Sequence, residues 1–410
     1  MTGDDPVGVT IDAIDGGVTA PAGFRAAGVA CGIKKTGALD LALVAADAPA
    51  AAAAVFTTNK VQAAPVLVSR EHLSHSGGQA RAIVANSGCA NACTGPEGMR
   101  VARGSAAAAA SAIGCTADAI LVASTGVIGV QLDLDKLAKG IASAAPALSR
   151  SAHLDAARAI MTTDRAPKEA AVSVTTAAGT FRVGGIAKGA GMIEPHMATL
   201  LGFVTTDADV AAPLLQRALA EAAGVTFNAI TVDGDTSTND TVFLLASGAS
   251  GVCIGESSYA ALAAGLREVC GTLARAIVRG GEGATKLVSI TACGAASAED
   301  ARKAAGTIAN SLLVKTAIHG ADPNWGRLLA AAGRAGVAFD VERAAVRIGT
   351  IVLFRDGVPF DERAGEAAAY LAGPDLEISV DVGAGGSHSA TVWTCDLSAE
   401  YVAINADYRT

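Results

Sequence analysis

The sequence predicts an α/β protein of tightly packed layers, and two observations carry that expectation. The chain is 51% hydrophobic with 47 glycines but only 4% aromatic, which favours close packing of small side chains over an aromatic-rich binding surface. Short apolar runs of strand length also alternate with longer alanine-rich segments that close on glycine. A length of 410 residues suggests about two or three domains. The composition shifts through Ala298-Glu299-Asp300, so a smaller α/β C-terminal domain is placed at 290–410 after a larger one at 1–289.

Taken in order, residues 9–60 have the texture of strands and turns, with an apolar run Val66-Leu67-Val68 and then a polar loop. Residues 82–86 read as a buried strand that ends in a small-residue loop, Ser87 to Gly95, and residues 96–113 as a helix closed by Gly114. The strand 119–124 runs into Thr125-Gly126-Val127-Ile128-Gly129, where glycine lets the backbone turn and expose an N–H to an oxyanion. An ordinary turn has the same residues. Helices are expected at 132–145 and 153–160, a polar cluster at 160–164, and a hairpin at 171–174 and 180–186. Beyond residue 200 come a strand, a helix at 211–223, strands at 227–232 and 242–246, and a long helix at 259–278. The last part holds strands at 287–291, 346–354, 376–382 and 389–393, with a polar loop 319–327 before a helix at 328–332.

Several functions are argued against. A net charge of −8 without a basic block argues against nucleic acid as a partner. The acidic start, Met1-Thr2-Gly3-Asp4-Asp5-Pro6, does not resemble a signal peptide, and the uncharged runs are too short for a membrane span. Eight scattered cysteines suit reduced thiols in a cytoplasm. Cys89 and Cys93 have no basic neighbour to activate a thiol. The acidic loop Asp233 to Asp240 lacks the glycine and glutamate of a calcium loop, and residues 279–286 lack the ending of a phosphate loop. Glu282, set among glycines, suits either a carboxylate presented to a cationic ligand group or a solvated turn.

The chemically suggestive stretch is Lys188 to Phe203, which sets Ala198-Thr199 between glycines and an apolar strand. The Thr199 hydroxyl can attack the Ala198 carbonyl, turning the amide into an ester whose hydrolysis frees a new N-terminus. That α-amine would then serve as base for the same hydroxyl. On the local residues alone a plain strand threonine is the better reading, since threonine favours strands. His196 is adjacent, but the α-amine makes a further base unnecessary.

These residues, with Asn86-Ser87-Gly88-Cys89-Ala90-Asn91-Ala92, Ser124-Thr125-Gly126, Met161-Thr162-Thr163-Asp164, Val232 to Asp240, Asp322-Pro323-Asn324-Trp325-Gly326-Arg327 and the ending Asn405 to Thr410, resemble the glutamate N-acetyltransferase (ornithine acetyltransferase) family. The resemblance runs through the whole chain in one order. It implies a layered α-β-β-α sandwich like that of N-terminal-nucleophile hydrolases, completed by the C-terminal domain. It also implies autocleavage between Ala198 and Thr199, ping-pong transfer of acetyl from N2-acetyl-L-ornithine to L-glutamate on Thr199, and an oxyanion hole at Thr125 and Gly126. Substrate would be bound by Thr162 or Thr163, Lys188, Thr199, Glu282, Asn405 and Thr410. Family members use no metal or organic cofactor and assemble as dimers of the cleaved pair. The sequence leaves open whether acetyl-CoA is also a donor. Two other readings fit the same residues: a self-processed amidohydrolase or aminopeptidase, and an unprocessed binding protein with a structural Thr199.

Overall fold

Sixteen residues, Leu41–Phe56, form one long strand made mostly of alanine, valine and leucine. Its pairing with the following strand slips between Ala45 and Ala50, and such a bulge bends the strand that carries it. In the computed structural model, which describes residues 8–194 and 200–407, this strand joins two halves of a nine-stranded sheet.

The chain runs through β1 (Thr10–Ala13), β2 (Phe24–Val29), the long β3 (Leu41–Phe56), α1 (Ala64–His75), β4 (Gln79–Cys89), α2 (Gly95–Ile113), β5 (Ile120–Val127), α3 (Leu134–Ala144) and α4 (His153–Ala159). The hairpin of β6 (Lys168–Thr176) and β7 (Gly179–Lys188) leads to β8 (Leu201–Thr206), β9 (Asp209–Val210), α5 (Ala212–Val225), β10 (Thr241–Ala246), β11 (Cys253–Ile254) and α6 (Tyr259–Arg279). Strand order in the sheet is β1-β6-β7-β8-β10-β3-β4-β5, with β2 also on β3.

Side-chain alternation along β3 sorts the layers. Leu41 and Leu43 pack with Val68, Val101 and Ile141 from α1, α2 and α3. Ala42 and Val44 point the other way, into a core shared with Phe203, Phe243 and Leu245 of β8 and β10. The reverse faces of β7, β8 and β10 pack through Val183, Val204 and Val242 onto Leu219 and Leu266 of α5 and α6. Among the described residues the middle core takes its buried helical residues from the short α4 and from Val18 of a 3-10 turn, so the two halves of the sheet cover each other. Helices, half-sheet, half-sheet and helices give the α-β-β-α layering.

The second sheet is built from β12 (Leu287–Ala295), then α7 (Ala298–Ala309), α8 (Leu312–His319), α9 (Trp325–Gly333), β13 (Ala345–Ile348), β14 (Ile351–Arg355), β15 (Val358–Pro359), α10 (Ala364–Leu371), β16 (Asp375–Asp381) and β17 (His388–Cys395). Its order is β15-β14-β13-β16-β12-β17. Residue 290 lies inside β12, whose Leu287 belongs to the first core and Val288 to the second. The closing helix α11 (Ala399–Asp407) starts beside the loop that follows α6, where Ser398 Oγ, just ahead of the helix, donates to the Gly283 carbonyl at 2.7 Å.

Four expectations are corrected. The segment after Val68 is not a loop but the body of α1, started by Pro65 and turning Val66, Ser69 and His72 inward. Ser87-Gly88-Cys89 is the end of β4 rather than a loop. Residues 227–232 form a short 3-10 turn and a single bridge from Ile230 to Trp393, not a strand. Phe227 and Ile230 are wholly buried there, and a short apolar run reads alike in a strand or a buried turn. The strand expected at 346–354 is a hairpin, because the apolar alternation continues across the turn at Gly349. Among the described residues no helix is long and apolar enough to cross a membrane.

Candidate active site

Strands β4 and β5 run parallel and end side by side, with Gly88 opposite Gly126. Gly126 has φ +128°, and a Cβ there would sit 2.4 Å from the Gly88 carbonyl carbon. Glycine is therefore what lets the two strand ends meet with their backbone bare. A polar network fixes the junction. Ser124 Oγ donates to Asn86 Oδ1 at 2.6 Å, Asn86 Nδ2 to the Cys89 carbonyl at 2.9 Å, and Asn239 Nδ2 to the carbonyls of Ala90 and Ser124 at 2.6 and 2.8 Å.

Thr125 projects from this junction towards Lys188 at the end of β7, whose Nζ donates to Thr125 Oγ1 at 3.0 Å. Both side chains are buried. Burial pushes the Lys188 ammonium below the usual lysine range, Asp164, Asp240 and Glu282 pull it back, and Lys168 adds to the lowering. Asp164 accepts the Gly189 N–H at 2.8 Å, the Thr162 N–H at 3.1 Å and the Lys168 ammonium. Burial would raise the Asp164 carboxyl, but the Lys188 and Lys168 charges and these hydrogen bonds hold it below the usual range.

Glu282 is only 7% exposed, which removes the solvated-turn reading. Asn405 Nδ2 of α11 donates to its Oε2 at 2.9 Å. A Cβ on Gly191 would lie 2.4 Å from that same oxygen, so the glycine approach to the suggestive stretch is packed on the carboxylate. Thr125, Gly126, Thr162, Thr163, Lys188 and Glu282 line one small cavity together with Met192, Thr238 and Asn239. Asn405 reaches it through Glu282.

Ala198, Thr199, Thr410 and His196 lie outside the described residues. The chain on both sides of that gap is held by a single loop. Asp233 accepts the N–H groups of Met192 and Ile193 at 2.6 and 2.8 Å, and Asp240 Oδ1 accepts the Leu200 N–H at 2.9 Å. Asp233 and Asp240 thus hold backbone donors on both flanks, and among the described residues no group of three or more His, Cys, Asp or Glu is placed to hold a metal. Asp240 is wholly buried, and burial raises its carboxyl well above the usual range against Leu200, Lys188 and Ser237.

Asp164, Asn239 and Asp240 stand inside sequence motifs that assign them no role, and Lys168 stands outside every motif. Charged residues beside apolar strand runs were the available signal. The Asp322 to Arg327 motif has structural work: Asn324 Oδ1 caps α9 by accepting the Arg327 N–H at 3.1 Å, and Trp325 stacks on Phe354 at 5.1 Å. Burial pushes the Cys89 thiol up, as expected of an inert cysteine. A larger cleft, about 1120 Å³, lies beside α7 between Arg302, Lys303, Glu377 and Trp393, and none of the predicted site residues lines it.

A buried cation and a buried carboxylate share one small cavity, with a hydroxyl and a bare glycine backbone beside them, in a layered α/β enzyme that acts on small molecules. The chain belongs to the ArgJ family, whose profile matches residues 25–410. It is similar to the arginine biosynthesis bifunctional protein ArgJ of Symbiobacterium thermophilum, 51% identical over 402 residues that span 96% of this chain and 99% of the relative. The ArgJ protein of Gloeobacter violaceus is 50% identical over 404 residues, 97% of this chain and 98% of its own. A crystal structure of ornithine acetyltransferase complexed with ornithine from Mycobacterium tuberculosis is 46% identical, covering 47% of this chain and 100% of that one, with a TM-score of 0.43.

Proposed function

We propose that this enzyme of arginine biosynthesis cleaves itself between Ala198 and Thr199 and then moves acetyl from N2-acetyl-L-ornithine to L-glutamate. The observation that carries this reading is the cavity bounded by Lys188, Glu282 and Thr125-Gly126, at the end of the sheet where Leu201, two residues after Thr199 in the chain, begins β8. N-acetylornithine and glutamate share an α-carboxylate, for which Lys188 is the cation, and Glu282 meets the ornithine side-chain ammonium. The Thr199 hydroxyl attacks the acetyl carbonyl, the Thr125 and Gly126 pair stabilises the oxyanion, and the amide C–N bond breaks as the ornithine nitrogen takes up the hydroxyl proton. Glutamate's amine then attacks the acetyl-Thr199 ester and returns the hydroxyl. Splitting one exchange into two ester steps lets one pocket serve both substrates. Thr162, Thr163, Asn405 and Thr410 complete the binding set, Asn405 by orienting Glu282.

In this reading residues 1–289 form the nucleophile-bearing unit and 290–410 the completing one, the two cleaved chains stay paired, and two such pairs associate as a dimer in the cytoplasm. Acetyl-CoA is a second donor to be assayed, in keeping with the bifunctional proteins named above. Intact-mass analysis tests the proposal: active protein should appear as two chains divided before Thr199, and Thr199→Ala as a single uncleaved chain without transferase activity. Active full-length protein, or cleavage of Thr199→Ala, would overturn it. Ornithine release that does not depend on glutamate would favour the self-processed hydrolase instead.

A further inference from the structure

The loop between β2 and β3 is wound round one carboxylate. Asp40 is wholly buried; its Oδ1 accepts the Cys31 N–H at 2.6 Å, and its Oδ2 accepts the N–H groups of Ile33 and Lys34 at 2.7 and 2.9 Å. The Asp40 carbonyl accepts the Ser87 N–H at 2.9 Å, so the loop is docked on the end of β4. That fixes where the half-buried Lys34 side chain starts. Its stem packs on Gly88, where a Cβ would lie 3.2 Å from Lys34 Cγ. Its ammonium donates to the carbonyls of Leu39 at 2.9 Å and Met161 at 2.8 Å. The Met161 carbonyl and the Thr162 N–H belong to one peptide unit, and the N–H side is held by Asp164 Oδ2 at 3.1 Å. A planar unit gripped by a cation at its oxygen and a carboxylate at its N–H has one orientation, which sets the direction in which Thr162 leaves it. Burial lowers the Lys34 ammonium below the usual lysine range, Asp40 and Asp164 oppose that, and Lys188 adds to it, so this lysine belongs to the charge cluster of the site.

Resting on the function proposed above, we propose that Lys34 is a positioning residue for substrate binding, its ammonium holding the Met161–Thr162 peptide so that Thr162 and Thr163 present one fixed wall of the cavity to both amino-acid substrates. Thr162 and Thr163 line that cavity, and Lys34 acts through the peptide ahead of them. The junction at Thr125 and Gly126 has supports of its own in Asn86, Ser124 and Asn239. Loss of the ammonium therefore loosens the binding wall and leaves the oxyanion junction in place, so its effect falls on KM and spares kcat.

Steady-state kinetics of acetyl transfer from N-acetylornithine to glutamate, paired with hydrogen–deuterium exchange, tests this. Lys34→Met keeps a stem on Gly88 and removes the ammonium. Once cooperative melting shows it folded, its KM for both substrates should rise about tenfold, the size of one lost hydrogen bond from a charged group, with kcat within about twofold of the unaltered protein. Peptides covering residues 159–164 should exchange faster than in the unaltered protein, and those covering 120–127 at the same rate. Lys34→Arg, the second variant, keeps a cationic donor and should bring KM back to within about threefold. An unaltered KM in Lys34→Met, a fall in kcat as large as the rise in KM, or an equal loss in the Met and Arg variants overturns the assignment. Absence of acetyl transfer by the unaltered protein overturns the underlying function instead.

Discussion

Lys188 and Lys315 are both buried lysines, one in each sheet region, and their surroundings differ in kind. Lys315 on α8 is bonded to Thr394 Oγ1 at 2.9 Å and to the Cys395 carbonyl, so its donors are spent on the protein. Next to it Asp396 accepts the Thr285 N–H and hydroxyl at 2.8 and 2.6 Å, the Lys286 N–H at 2.9 Å and the His319 ring at 2.7 Å. Lys188 makes its one hydrogen bond among the described residues to a neutral hydroxyl and lines a cavity. A buried charge that is fully bonded is structural cement. One held among carboxylates with donors to spare can take a ligand anion.

That contrast is open to attack at several points. The largest effect is expected for Lys188→Met, which should lower transferase kcat/KM by about a hundredfold, ~3 kcal/mol of lost charge-assisted binding. Retained activity would place the anion pole elsewhere. Lys315→Met should cost about 2 kcal/mol in denaturant unfolding by leaving a buried hydroxyl and carbonyl unpaired, with kcat per folded molecule unchanged. A drop in kcat at full folding would erase the distinction between the two lysines.

Asp396→Asn should cost about 1.5 kcal/mol at neutral pH. Burial raises the Asp396 carboxyl, but its bonds to Thr285, His319 and Lys286 bring it below the usual range. Folded Asp396 thus binds its proton less tightly than the unfolded chain does. Its contribution is fully present above the unfolded value, about 3.9, and is lost as pH falls through the lower folded value. The gap between variant and unaltered protein should therefore be constant above pH ~4 and close in stronger acid; a gap that persists there would break the argument. The smallest effect is set for Asn324→Ala, about 1 kcal/mol in thermal melting for a lost N-cap, with cleavage and transfer untouched.

Much of the architecture was legible because it rests on local pattern. The hairpin of β6 and β7, the alanine-rich α2 closed by Gly114 and the amphipathic α6 follow from alternation, helical period and glycine position. The turn at 227–229 and the hairpin at Gly349 were not, since an apolar run carries no mark of where a buried chain reverses. In the site, Thr125, Lys188 and Glu282 were named through resemblance to a family, and nothing in their spacing requires that they meet. Asp164 and Asp240 were visible as letters in motifs, but their burial was not.

The sequence by itself determined the α/β class, the existence of most elements, the small side chains that let layers pack closely, and membership in a family. Tertiary structure decided which charges lose their water. Assembly of the two half-sheets that β3 joins left Lys188, Asp164 and Asp240 buried, and α11 brought Asn405 to Glu282 from 123 residues away. Desolvation and pairing depend on neighbours distant in the chain, so no local pattern records them.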